Sequence, residues 1–166
     1  NGLFRPAPLF RFMIIAACIA IFCAFLPVFS VLRLQSSAAN HCLPLRDGEK
    51  FSLKFNHSVN RLPVIDTIER TGAALTVRSS LFTYGAGIPS PSDGVGKTLT
   101  ETENGFLLSG IDAVHDEISI ITGTYGDTRL LYRDKELILK DSFGEQTLVT
   151  LRVGRESLLG LIRYRL

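Results

Sequence analysis

From Phe51 onward the chain is written in period two. Phe51, Leu53 and Phe55 alternate with Ser52, Lys54 and Asn56. Successive side chains of a strand point to opposite faces, so this stretch has one apolar and one polar face. Leu75 and Val77 repeat the pattern within Ala74 to Ser80, and Val149, Leu151 and Val153 repeat it against Thr150 and Arg152. Leu107 sits in a short strand after Asn104-Gly105, a hairpin signal, and Glu117 to Thr122 carries three isoleucines. Tyr125-Gly126-Asp127 turns that strand back, and Arg133-Asp134-Lys135 separates two more. The count comes to about eight or nine short strands. Parallel pairing needs long crossovers, for which there is no room. The spacing predicts an all-β domain, a compact and mostly antiparallel β-sandwich or open barrel, and closing the sheet would remove its edges.

A different feature leads the chain. Phe12 to Leu32 is 21 residues without a charge. As a helix it would extend roughly 30 Å, the thickness of a hydrocarbon core. Arg5 and Arg11 precede it and Arg33 follows it. The preceding positives favour an amino end in the cytoplasm and the remainder outside. Read this way, 1–11 is a cytoplasmic start, 12–32 a transmembrane signal anchor, 33–48 a linker and 49–154 an extracytoplasmic β domain. The tail, 155–166, has Leu158, Leu159, Ile162 and Leu166 near one helical face, which suits a short amphipathic helix; a last strand is the alternative. Two other readings of the leader stay open. Ser37-Ala38-Ala39 suits a cleaved signal peptide, and Ile15-Ala16-Ala17-Cys18 looks like a lipoprotein box. Pro27 either kinks the apolar helix or ends a shorter one.

Charge and cysteine usage exclude several classes. Of eighteen Lys and Arg only Arg5, Arg11 and Arg33 precede Asn40, and all sixteen acidic residues follow it. The domain after Asn40 therefore nets −1, with no basic field to hold nucleic acid. Cys18, Cys23 and Cys42 make no disulfide framework and no zinc spacing. Neither a metal nor another cofactor is expected.

Gly94-Val95-Gly96-Lys97-Thr98 looks like the end of a phosphate loop, but Pro91 stands where the first glycine belongs and a strand follows, so no nucleotide is expected. Asn56-His57-Ser58 is formally a glycosylation sequon at a strand end, and it is discounted. His57 and Ser58, adjacent on a strand, point apart, which opposes a nucleophile–base pair; a hydrolase would have to bring Ser58 to His115 or His41. A buried His57 donating to a carbonyl or to Asp66 is the structural alternative. Asp66 and Glu69 fall on opposite faces of a strand. Gly85-Ala86-Gly87 suits a tight turn or a backbone-lined anion rim, within a loop, Gly85 to Gly96, rich in Gly, Pro and Ser.

Together, His57-Ser58-Val59, Pro63-Val64, Asp66 and Tyr84-Gly85-Ala86-Gly87-Ile88-Pro89 resemble the bacterial family called domain of unknown function 1850. The similarity runs to about Gly154. Asp66 stands where that family's pattern usually has Glu. The resemblance implies a small exported protein, often encoded beside TRAP-type transporters with TAXI-type solute-binding proteins. It supplies no catalytic residue, so no enzyme is expected. His57, Asp66, Tyr84, Gly85, Gly87, Ile88 and Pro89 are the candidates for contact with a ligand or partner. The expected protein is an accessory or binding module of such a transporter at the bacterial inner membrane; the alternative is a non-catalytic structural subunit of a larger membrane complex. The chain is too short to be a two-lobed solute-binding protein.

Overall fold

The structure is a computed structural model that describes residues 8–57, 61–83, 96–123 and 126–163, with side chains of 8–11 and 20–21 left aside. Eleven strands and three helices are described: α1 (Pro8–Phe25), β1 (Phe29–Gln35), β2 (Asn40–Pro44), β3 (Lys50–Asn56), β4 (Pro63–Thr71), β5 (Ala74–Phe82), β6 (Thr98–Thr102), β7 (Gly105–His115), β8 (Glu117–Ile121), β9 (Arg129–Tyr132), β10 (Lys135–Ile138), α2 (Leu139–Phe143), β11 (Leu148–Glu156) and α3 (Leu158–Arg163). The strands form a four-stranded sheet, β2-β1-β11-β8, and a seven-stranded sheet, β10-β9-β3-β4-β5-β7-β6. Each described pairing is antiparallel.

The two sheets share one core. Leu32, Leu34, Val149 and Leu151 from the small sheet pack with Phe51, Leu53, Ile68, Leu75 and Leu130 from the large one. Leu139 and Phe143 of α2 plug the same core, and Gly144, at φ 87, ends that helix where its N–H reaches Lys140 O at 2.8 Å. The expected all-β, antiparallel class is what the chain forms, with eleven strands where about eight or nine were expected.

The uncharged run is not one helix. α1 stops at Phe25, ahead of Pro27, which cannot continue an intrahelical hydrogen-bond ladder. Phe29 to Gln35 then enters the small sheet as β1, between β2 and β11. No helix among the described residues is long and apolar enough to cross a membrane. The cause of the misreading is local. β1 is an interior strand buried on both faces, and such strands read as continuous apolar runs. Leu32 points into the core, while Val31 points outward and is still 0% exposed. On that side of the chain α3 lies against the flanking strands β2 and β11.

Nor is 33–48 a linker. It holds the end of β1 and all of β2, joined by a turn in which Ser36 Oγ accepts the N–H groups of Ala38 (3.2 Å) and Ala39 (3.0 Å). Ser37-Ala38-Ala39, the cleavage-site look-alike, lies in this turn. The β domain therefore begins at Phe29 rather than at 49. Of the tail, Arg155 and Glu156 close β11 and Leu158–Arg163 form the short helix α3, with Leu158, Leu159 and Ile162 exposed; Leu166 lies outside the described residues.

Candidate functional site

β4 crosses the middle of the large sheet, with β3 on one side and β5 on the other. The alternation Val64, Asp66, Ile68 turns these three residues to the inner face, since Val64 and Ile68 are both buried in apolar clusters. Asp66 is thus a carboxylate on the apolar side of the sheet. It stands opposite Leu53 of β3 and Ser80 of β5. The row extends through Leu130, Leu53, Asp66, Ser80 and Leu108, and its three leucines are at most 2% exposed. Burial pushes the Asp66 carboxyl above the usual range, and a hydrogen bond from the Ser80 hydroxyl pulls it partly back.

Four strand ends converge beyond this row. Asn56 of β3 faces Pro63 of β4, and Val64 faces Phe82 of β5, which faces Phe106 of β7. The rings of Phe82 and Phe106 stack with centroids 6.2 Å apart. With Val64, Leu108, Phe55 and Ile111 they form a second apolar cluster, which meets the main core at Phe55. Gly105 opens β7 at φ 124, and a Cβ there would stand 2.3 Å from Phe82 O, so only glycine permits this approach. Gly126 comes equally close to Asn56, since a Cβ would meet Nδ2 at 2.5 Å.

His57 sits just past β3, half-buried. Its N–H donates to Leu62 O at 2.9 Å and its carbonyl accepts the Arg61 N–H at 2.9 Å, with Arg61 in a left-handed conformation at φ 57. His57 therefore forms the base of the β3–β4 loop. Asp66 lies three residues into β4, about 10 Å along the strand from Pro63. His57 stands at the end of the large sheet, and Asp66 lies on its inner face three residues in from that end. Tyr84, Gly85, Gly87, Ile88 and Pro89, with Ser58 and Val59, lie outside the described residues.

The three histidines occupy three places. His41 on β2 meets Phe143 edge-on at 5.1 Å, and burial pulls its pKa down. His115 ends β7 opposite Leu75, at the other end of the large sheet from His57. Glu69 is on the outer face, as its offset from Asp66 requires. Arg78 clamps it with two bonds of 3.2 Å and reaches Asp112 at 2.5 Å. This arrangement was not legible in the sequence. It depends on irregularities in which Arg78 falls out of register and β7 accommodates Gly110 and Asp112 at positive φ. Also unforeseen is a cluster in which the Tyr132 hydroxyl faces Pro44 O and, at 2.8 Å, Glu49 Oε1. Arg133 holds the same Glu49 oxygen at 2.9 Å and lies 4.8 Å over the Tyr132 ring. Among the described residues no group of three His, Cys, Asp or Glu side chains is gathered so as to hold a metal ion.

What remains is a half-buried acid with one hydroxyl partner, facing an apolar cluster where loops leave the sheet. Such a group can accept a hydrogen bond from a donor that reaches it. No curated protein and no solved structure matches this chain. The family model described as a domain of unknown function (DUF1850) matches residues 51–139, more than half of the chain. That span runs from β3 to the start of α2 and contains His57, Asp66 and Ser80. The chain belongs to the DUF1850 family.

Proposed function

We propose that the protein is a non-catalytic binding module, attached to the bacterial inner membrane, with its β domain on the outer side. The observation that supports this reading is the opposition of its two ends. α1 packs against α3 and makes no comparable contact with either sheet. Phe12, Ile15, Phe22 and Phe25 of α1 are each more than half exposed. An apolar helix left uncovered in this way needs lipid or another protein around it. α1 leads into the end of the small sheet formed by Phe29 and Glu156. The converging ends Asn56, Pro63, Phe82 and Gly105 lie at the opposite ends of their strands from the turns at 45–49 and 71–73, which neighbour the α1 end. The module would present the Asp66 end away from the surface that holds it.

The partner we propose is a subunit or solute-binding protein of a TAXI-type TRAP transporter, as the family resemblance implies. Crosslinking the full chain in native membranes, followed by purification and identification of the adducts, tests this. Transporter components should be captured by the wild type and reduced by Asp66→Asn. Capture of none, with normal solute uptake in a strain lacking the protein, overturns the assignment.

A further inference from the structure

A groove of about 500 Å³ lies beside the α1 end. Val28 and Phe29, the residues that join α1 to the small sheet, form one wall and are 61% and 41% exposed. Arg46, Arg70 and Arg133 supply its cations and Asp47 a carboxylate, with Ser30, Pro44 and Leu45 between them. Arg70 is fixed by carbonyls rather than by an acid: Nη1 donates to Leu45 O at 2.7 Å and Nε to Gly72 O at 2.9 Å. Its charge is held in place but not cancelled. Asp47 accepts the Gly72 N–H at 2.7 Å and keeps its own charge, so that with the Glu49 carboxylate on Arg133 the three arginines leave one net positive charge. Arg133 has its own carboxylate in Glu49, and Arg46 is exposed. The groove thus combines fixed positive charge with an apolar wall continuous with an uncovered apolar helix.

We propose that this groove receives the phosphate headgroup of an anionic phospholipid, with acyl chains running along Val28, Phe29 and α1. The proposal rests on the membrane reading above and names the lipid class. Guanidinium pairs with phosphate through directed hydrogen bonds, and an apolar wall beside it matches the junction of headgroup and acyl chain. A soluble anion would need only the arginines and would leave Val28 and Phe29 facing water.

The sequence contains no tryptophan, so Phe29→Trp in the full chain provides a single reporter in the groove wall. The protein is reconstituted in phosphatidylcholine vesicles with increasing phosphatidylglycerol. The emission should shift and saturate with phosphatidylglycerol, and the response should weaken with salt. Arg46→Gln should need roughly five-fold more phosphatidylglycerol for the half-shift. Arg152→Gln, which removes an equal charge on the outer face of the small sheet, should leave it unchanged. An identical emission in both lipids, or equal behaviour of the two variants, overturns headgroup recognition while leaving attachment standing. A shift with millimolar inorganic phosphate in detergent and none with phosphatidylglycerol also overturns it, in favour of a soluble anion. Failure to float with either vesicle overturns the membrane reading itself.

Discussion

Arg33 lies flat across Gly154. The two are two residues out of line on neighbouring strands, where Gly154 faces Val31 and Arg33 faces Arg152, so the Arg33 side chain runs diagonally over the glycine. It ends with Nη2 at 2.7 Å from Arg155 O and 2.6 Å from Glu156 Oε1. A Cβ at 154 would stand 2.8 Å from Arg33 Nε and 2.9 Å from Cδ. Gly154→Ala should therefore lift Arg33 off Glu156 and cost about 1–2 kcal/mol. Adding Arg33→Met should make the losses less than additive, because the alanine then has no guanidinium to displace. Urea midpoints of the two single variants and the double variant decide this, and strict additivity would show that the contact is incidental.

Asp66 makes stability depend on pH in an unusual sense. Its folded pKa lies above the reference value of 3.8 because burial disfavours the anion. Below that reference the group is neutral in both states and contributes no difference. As pH rises through 3.8 the unfolded chain ionises first, so stability falls until the folded pKa is passed and stays lowered above it. Asp66→Asn keeps the shape and removes the titration. It should be more stable than the wild type at pH 7 and indistinguishable from it at pH 3, as read by denaturant unfolding. A variant that is less stable at pH 7 would show that the charged form has a partner strong enough to reverse the effect of burial.

Tyr132 gives a second signature at the alkaline end. Burial, with Glu49 at its hydroxyl, pushes the phenol up to about 12 from an ordinary 10.0. Between these values the unfolded chain loses the proton and the folded one keeps it, so stability falls as pH rises. Tyr132→Phe should cost about 1–2 kcal/mol at pH 7, from loss of the single hydroxyl donor that Pro44 O and Glu49 share, and should flatten the wild-type decline above pH 10. Ultraviolet titration of the tyrosines, wild type against variant, locates the late-titrating group directly.

Truncation separates the helix from the domain. A chain starting at Val28 keeps every strand and should fold, giving a cooperative melt and dispersed amide resonances. A chain starting at Glu49 lacks β1 and β2 and exposes the core around Val149 and Leu151. It should aggregate or remain unfolded. A cooperative melt for the shorter chain would show that the large sheet is self-sufficient.

The alternation of Phe51, Leu53 and Phe55 made the large sheet legible, because a half-buried strand writes its two faces into the sequence. β1 has no such alternation, since Val31 and Leu32 are both buried, and in the sequence it merged with the helix ahead of it. The β1–β2 turn was hidden because Ser36 closes it with its hydroxyl rather than with a glycine or proline. At the candidate site, His57 and Asp66 could be named from their motifs. That Asp66 faces inward beside Ser80 required the register between β4 and β5, which no single strand encodes. The Arg78 clamp depends on bulges, and these are set by the pairing of three strands rather than by the residues of one.

β1 also has a mechanical consequence. The chain leaves α1 at Phe25 and within three residues becomes an interior strand of the small sheet, hydrogen-bonded on both sides. A pull on the helix reaches the body at Phe29 and acts along β1, so the ladders to β2 and β11 bear the load together in shear. An edge strand would peel one bond at a time. Force along the tether therefore has to break two hydrogen-bond ladders at once to free β1.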